Sequence, residues 1–437
     1  MSDATGATRD NPAKVSFASM IGTAVESYDF FIYGTASAAY FGSAFFHSDN
    51  AVVGVLASFA TLAVGFLFRP LGGYLAGHYG DRLGRKRVLM WSLTVMGVAT
   101  VLVGVLPTYA QVGVLAPMLL ILLRIVQGIG FGAEWSGAVL MAVEHAPERK
   151  RGFFGAVPQI GIPAGLLLAN GAFLLSEAVF TGDWVWRAPF LASVVMVAAG
   201  MYIRNRVGES PEFTKVKSAG NIRKTPALDV LRRDWRVVVR IMALRLAETG
   251  GYYVTTSFML SYVVLASLTD KQNVLVGTIV GSALGLVSHL AFGALSDRIG
   301  RKPVFLIGSI FTIAFGFPMF FLVNTGIGIA TVVAVALGLL FSHDPIFAVE
   351  ASWFAEQFPS EVRSSGISLG YNGASVIAGL LPFLATALYS VMGWVGPALL
   401  FVALGVVSTF AARFCAETAP ARTNPAAARP ADDVHAV

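Results

Sequence analysis

Long apolar runs alternate with short polar stretches from one end of the chain to the other. The runs fall at about 15–41, 51–79, 88–106, 111–145, 152–175, 188–204, 237–267, 274–296, 303–323, 327–358, 364–390 and 395–413. A helix that crosses a bilayer needs about 20 mostly apolar residues. The pattern therefore predicts twelve transmembrane helices, numbered 1 to 12 in chain order. Several runs are longer than a span requires, which accommodates tilt or a helix end that projects past the bilayer.

The polar stretches carry unequal charge. Arg82, Arg85, Lys86 and Arg87 follow helix 2, and Arg149, Lys150 and Arg151 follow helix 4. Arg298, Arg301 and Lys302 follow helix 8, and Arg363 follows helix 10. The intervening loops hold little beyond Arg187 and Lys271. Basic residues collect on the cytoplasmic side, so both termini are expected there. The stretch after helix 6 is long, polar and basic. It divides the chain into an N-terminal tail at 1–14, a six-helix half at 15–205, a linker at 206–236, a second six-helix half at 237–413 and a disordered tail at 414–437.

The two halves share motifs. Gly77-xxx-Asp81-Arg82-x-Gly84-Arg85-Lys86 recurs as Gly293-xxx-Asp297-Arg298-x-Gly300-Arg301-Lys302, with Asp81 and Asp297 216 positions apart. Glu144-xx-Pro147-xxx-Arg151 recurs as Glu356-xx-Pro359-xxx-Arg363, 212 positions on. A two-fold internal repeat in a membrane chain is the architecture of secondary transporters.

Composition narrows the class. Of 437 residues, 56% are hydrophobic and only 13% charged, where a soluble domain carries roughly 25% charged residues. The net charge of +6 sits in loops between apolar runs, so topology explains it better than nucleic-acid binding. Cys415 is the sole cysteine, which excludes an intrachain disulfide. The first apolar run is too long for a signal-peptide core. No metal-ligand spacing, phosphate loop or Ser-His-Asp string is present, so an enzyme, a cofactor and a metal are not expected.

The doubled loop is similar to the signature of the major facilitator superfamily. Several strings resemble its metabolite:proton symporter branch, which holds shikimate, α-ketoglutarate, citrate and proline/betaine permeases. They are Glu26-Ser27-Tyr28-Asp29-Phe30 in helix 1, Phe68-Arg69-Pro70 in helix 2, Arg124-xx-Gln127-Gly128 and Glu134-Trp135 in helix 4, Trp186-Arg187-x-Pro189-Phe190 before helix 6, and Glu209-Ser210-Pro211-Glu212-Phe213 after it. Arg245-Leu246-Ala247-Glu248 in helix 7 and His343-Asp344-Pro345 in helix 10 look most like shikimate permeases. The resemblance covers residues 15–413. It implies an all-α membrane fold of two pseudo-symmetric six-helix halves, with helices 1, 4, 7 and 10 lining a central cavity.

Charges inside a membrane are costly and usually face a cavity or a partner. Glu26 and Asp29 lie three apart on one face of helix 1. An acid there and Arg124 in helix 4 resemble the proton-coupling pair of sugar and metabolite symporters. Asp29, or Glu26 beside it, is then the proton carrier. If a substrate anion competes for Arg124, the acid regains its affinity for a proton. The alternative is a structural salt bridge. Arg69 either pairs with Glu26 or Asp29 or lines the substrate site. Arg245 and Glu248 either neutralise each other within one turn or contact substrate. His343 with Asp344 is a candidate titrating pair, and Asp344-Pro345 marks an expected helix break. Glu350 adds a further charge to helix 10. Glu134 reads as a packing partner or second acid. Gln159, Tyr371 and Asn372 are polar candidates for substrate contact or for bonds between helices.

The doubled loop also suggests a gate. In the implied fold, Asp81 caps the start of helix 11 near Ser364–Gly366, while Arg82 or Arg85 reaches Glu144. By pseudo-symmetry Asp297, Arg298 and Glu356 do the same near helix 5, and Arg363 matches Arg151 in the second motif pair. The leading expectation is a monomeric proton-coupled symporter in the inner membrane that imports a small organic anion. A carrier of a zwitterionic solute such as proline or betaine, or an exporter or uniporter of the same fold, is the rival. Helix 5 departs from the Gly-x-x-x-Gly-Pro string of drug exporters. A membrane sensor would carry a signalling domain, for which the loops are too small.

Overall fold

The computed structural model describes residues 12–46, 50–75, 85–132, 139–140, 142–144, 146–205, 226–358 and 363–423. Among them the backbone is helical almost throughout, and there is no strand. Twelve long helices follow the apolar runs. In the first half they are α1 (Pro12–Ala39), α2 (Ala51–Leu75), α3 (Arg85–Val105), α4 (Leu115–Phe131), α5 (Glu148–Val179) and α6 (Trp184–Asn205). In the second half α7 runs from Trp235–Tyr253 through a π turn at Val254–Phe258 into Met259–Leu265. It is followed by α8 (Lys271–Ile299), α9 (Arg301–Asn324), α10 (Gly328–Glu356), α11 (Arg363–Met392) and α12 (Val395–Ala412).

Among the described residues, eight of these helices are long and apolar enough by themselves to cross a membrane. The described apolar parts of α3 and α4 are shorter, and α1 and α7 carry the ionisable residues Glu26, Asp29, Arg245 and Glu248. Those four helices owe their place to packing as well as to hydropathy. Local chemistry marks the helix starts: Asn50 accepts from the Val52 N–H at 2.9 Å and Asp270 from the Gln272 N–H at 2.9 Å, the usual N-cap arrangement.

Packing repeats with the sequence. α1 packs on α5 as α7 packs on α11, α3 on α6 as α9 on α12, and α2 on α4 as α8 on α10. The halves meet through α2 against α11 and through α5 against α8, again a matched pair. The apolar interior is continuous across both halves, from Phe41 and Trp186 to Phe320 and Phe401.

Two glycines show why this backbone needs its sequence. Gly300 joins α8 to α9 in one residue at φ +110°, a region that L side chains rarely adopt. Gly128 lets α4 touch α2, because a Cβ there would lie 2.1 Å from the Gly65 carbonyl oxygen. Small residues at such crossings let transmembrane backbones approach.

Two expectations change. At Asp344-Pro345, α10 does not break. It widens into a π turn at Gly338–His343, just before Pro345, which absorbs the amide hydrogen that proline lacks. Of the expected tail, residues 414–423 are described and bonded to the helical body. Glu417 accepts from the N–H groups of Arg301 and Lys302 at 2.9 and 3.0 Å. The first turn of α9 has no cap of its own, and those orphan donors need an acceptor. Trp353 Nε1 donates to the Ala416 carbonyl at 2.8 Å, and residues Pro420–Thr423 form a short helix.

Candidate functional site

Two clusters of buried charge face each other from the two halves. In the first, Asp29 is 1% exposed, and neither carboxylate oxygen makes a formed hydrogen bond. It lines a small cavity with Arg69, Arg124, Thr100 and Gln127. The Thr100 hydroxyl, the polar group facing it, is already engaged: it donates to the Met96 carbonyl at 2.9 Å and accepts from Gln127 Nε2 at 2.9 Å. The cavity offers about 10 Å³, room for about one water.

Arg124 donates to Gln127 Oε1 at 3.1 Å and to the Leu62 carbonyl at 3.4 Å, and its guanidinium lies 3.9 Å from the centre of the Tyr33 ring. Tyr33 stands one turn beyond Asp29 on α1, and its hydroxyl hydrogen-bonds Thr61 at 2.7 Å. Gly65 makes room for this guanidinium, since a Cβ would fall 2.7 Å from Arg124 Cζ. Arg69 has no carboxylate within ion-pair reach among the described residues. It lies over the rings of Phe30, Phe66 and Phe131 at 4.7, 4.1 and 4.0 Å. Of the two readings of Arg69, pairing with Glu26 or Asp29 is not seen among the described residues; it lines the cavity within aromatic contacts, which tolerate a weakly hydrated guanidinium. No ion pair joins Asp29 to Arg124 either, so the structural salt-bridge alternative is absent among the described residues. Glu26 is buried beside them on α1.

The second cluster is more connected. Arg245 meets Glu248 at 3.1 Å and Glu350 at 3.4 Å. It donates to the Tyr371 carbonyl at 3.1 Å and lies 3.5 Å over the Tyr371 ring. Glu248 also faces His343 Nε2 at 3.4 Å, while His343 Nδ1 lies 3.0 Å from Asp344. Asp344 accepts from the Ser288 hydroxyl and lies 3.8 Å from His289 Nδ1. His289 Nδ1 is 2.7 Å from the Gly285 carbonyl, which fixes the hydrogen on that nitrogen. His289, His343 and Asp344 bring nitrogen and oxygen atoms within 4.8 Å of one another. Their bonds to Glu248, Ser288, Gly285 and each other suit shared protons, and no metal role is assigned.

Gln159 and Asn372 act between the halves. Gln159 Nε2 donates to the Phe347 carbonyl at 3.3 Å, and Asn372 Nδ2 to the Gly132 carbonyl at 3.3 Å.

Contacts join the halves at both faces. At the face bearing the termini, Asp297 accepts from the N–H groups of Gly152 and Phe153 at 2.8 and 2.9 Å, capping α5 from the other half. Arg301, fully buried, donates to Asp297 at 2.7 Å and meets Glu356 at 3.4 Å. Sequence reasoning assigned that contact to Arg298. Arg301 takes it because its place at the first turn of α9 directs it inward, whereas Arg298 in the last turn of α8 lines an open cleft with Arg149 and Lys150. Glu144 pairs with Arg363 at 3.6 Å across the halves, a partner the expected Arg82 or Arg85 contact did not include. Asp81, Arg82 and Glu134, and the side chain of Arg85, lie outside the described residues. At the opposite face Lys271 meets Glu177 at 2.8 Å and Tyr40 at 3.1 Å, and Ser261 donates to the Ala38 carbonyl at 3.0 Å.

Several participants were missed from sequence. His289 is a lone histidine inside run 8, and the argument applied to intramembrane acids extends to it. Arg301 stands in the doubled motif itself. Lys271 was read for topology alone. Gln127 and Thr100 carry no signal without the fold.

Twelve helices in two matched halves, closed around buried charges, define a multi-pass membrane transporter rather than an enzyme. The chain belongs to the Major Facilitator Superfamily, whose family profile matches residues 19–343. It is 38% identical over 410 residues to the shikimate transporter of Escherichia coli (strain K12), covering 91% of this chain and 93% of that one. It is 36% identical to a putative metabolite transport protein of Haemophilus influenzae, over 92% of this chain and 95% of the relative. A proline/betaine transporter of Salmonella typhimurium is 32% identical, over 85% and 77%. Among solved structures, the proton:xylose symporter XylE has the same fold, with TM-score 0.70 at 16% identity over 93% of this chain and 96% of that one.

Proposed function

We propose that this chain is a proton-coupled symporter that imports a small organic acid of the shikimate type across the cytoplasmic membrane. One observation carries the reading: among the described residues, Arg69 and Arg124 are buried at a cavity with no carboxylate in ion-pair reach, beside Asp29, which has no formed hydrogen bond. Two uncompensated guanidiniums suit a carboxylate substrate, which Arg can bind in a forked geometry. Asp29, or Glu26 next to it, carries the proton. The face bearing the termini is cytoplasmic, by the excess of Arg and Lys in its loops.

The space between Asp29, Arg69 and Arg124 is too small for an organic acid as it stands, so this reading requires the helices around it to move apart. Substrate enters when one of the two closures opens. Asp297, Arg301, Glu356, Glu144 and Arg363 form the cytoplasmic gate, and Asp81, Arg82 and Arg85 are its counterparts in the first half. Arg245, His343, Asp344, Tyr371, Gln159 and Asn372 bound the site from the second half and its interface. The whole pathway lies within one chain, consistent with a monomer.

A second reading, a zwitterionic solute, draws support from the proline/betaine relative and from Glu350, a buried carboxylate that meets Arg245 at 3.4 Å without a formed hydrogen bond. Uptake into proteoliposomes under an imposed pH gradient decides between them. Labelled shikimate, α-ketoglutarate, citrate, proline and betaine are compared. Accumulation of shikimate that collapses with a protonophore is the expected result. Accumulation of proline or betaine alone favours the second reading, and accumulation of none of the five overturns the proposal.

A further inference from the structure

The second cluster has a charge imbalance opposite in sign to the first. It buries three carboxylates, Glu248, Asp344 and Glu350, each at most 5% exposed. Among the described residues, Arg245 is the only permanent cation that meets them. A buried ion without a counter-charge costs several kcal/mol, so the cluster is expected to hold at least one proton.

Geometry locates that proton. His343 presents Nε2 to Glu248 at 3.4 Å and Nδ1 to Asp344 at 3.0 Å. An ionised carboxylate only accepts hydrogen bonds, and a neutral imidazole has one nitrogen that also only accepts. A neutral ring between two carboxylates would set a lone pair against a lone pair. An imidazolium donates to both. The other groups around the ring do not replace it. From α8, His289 packs at 5.7 Å between ring centres but gives its Nδ1 hydrogen to Gly285. From α7, Tyr252 approaches at 5.7 Å, and from α10 Phe347 stacks at 5.1 Å. Arg245 and Glu350 lie behind Glu248.

Glu248 links this ring to the arginine. One of its oxygens faces His343, and the other meets Arg245 at 3.1 Å. We propose that His343 is a proton-binding site in the second half, and that its proton controls Arg245. With His343 charged, Glu248 has a counter-ion of its own, and Arg245 is free to exchange Glu248 for a substrate carboxylate. With His343 neutral, Glu248 and Glu350 both need Arg245, and an incoming anion is excluded. The proton adds to a ring nitrogen from water on one side and leaves to water on the other. The substrate role rests on the organic-acid reading above. The charge on His343 does not.

Solid-state NMR of the 15N-histidine-labelled protein in lipid bilayers tests the charge without any ligand. The chain has six histidines, and either His343→Gln or His343→Asn supplies the assignment. Both ring nitrogens of His343 should show the imidazolium shift at neutral pH, and Glu248→Gln should move them toward a neutral tautomer. A neutral His343 ring at neutral pH overturns the inference. Shikimate binding measured across pH tests the consequence. Each coupled proton changes Kd by about tenfold per pH unit once the site is deprotonated, so His343→Gln should lose one such factor, while Asp29→Asn loses a different one. If His343→Gln keeps the full dependence, the control of Arg245 is wrong and the symporter reading stands. If wild-type protein accumulates no acid under a pH gradient, the symporter reading falls and the NMR result still decides the charge.

Discussion

Asp297, at the end of α8, caps Gly152, at the start of α5 in the other half, with a backbone N–H to carboxylate distance of 2.8 Å. The same carboxylate receives Arg301 at 2.7 Å. One side chain thus satisfies a helix end, orients a buried arginine and joins the halves. Asparagine would leave one acceptor oxygen for two N–H donors and no charge for Arg301; a lost hydrogen bond to a charged group costs about 1.5–3 kcal/mol, and about 1.4 kcal/mol is tenfold in an equilibrium. Asp297→Asn should therefore shift the carrier toward opening at this face and slow turnover. Spin labels at the ends of α4 and α10 on that face should report a longer distance. An unchanged distance distribution together with lost substrate binding would assign Asp297 to the wrong task.

Asp29 should be separable from binding. Asp29→Asn keeps size and removes the titrating group, so accumulation against a gradient should vanish while exchange of labelled for unlabelled shikimate survives. Accumulation at the wild-type level in this variant would move the proton to Glu26 or elsewhere.

Arg124 is a stricter case than charge alone. Its guanidinium stacks 3.9 Å over Tyr33 while donating to Gln127 and Leu62, contacts that an ammonium cannot reproduce together. Losing a charged hydrogen bond costs about 1.5–3 kcal/mol, so Arg124→Lys should weaken shikimate affinity roughly 10–100-fold. Isothermal titration calorimetry on the purified variant checks this, and unchanged affinity would make Arg124 a packing residue.

The fold was legible because membrane physics writes it coarsely. Run length and loop charge mark each span, and the doubled Gly-Asp-Arg loop marks the repeat. The pairing of Asp297 with the start of α5 was legible for the same reason, since an acid beside a symmetric helix start has one obvious use. The identity of the gate arginine was not, because Arg298 and Arg301 differ only in direction around a one-residue turn. The aromatic setting of Arg69 was not legible, because Phe30, Phe66 and Phe131 come from three helices and carry no charge to mark them. The pairs His343–Asp344 and Arg245–Glu248 were legible as neighbours along the chain, but their connection to each other and to His289 was not, because Glu248, His289 and Asp344 come from three helices whose register is set by packing that no single run encodes.

The closure at the opposite face yields the sharpest paired test. Lys271 meets Glu177 at 2.8 Å, and the Tyr40 hydroxyl bonds Glu177 while lying 3.1 Å from the same ammonium. These groups come from α8, α5 and the end of α1, so the triad joins the halves where Asp297 does not reach. Lys271 is partly exposed, which limits the worth of the pair to about 1 kcal/mol or less. Lys271→Ala should therefore bias the carrier only modestly toward opening at this face, by less than about tenfold. Its bias should oppose that of Asp297→Asn. The double variant, followed by spin-label distances at both faces, should fall between Asp297→Asn and the wild-type balance while losing stability, because a bond between the halves is lost at each face. If Lys271→Ala instead opens the same face as Asp297→Asn, the two closures are not opposing gates, and alternating access through this pair of contacts is wrong.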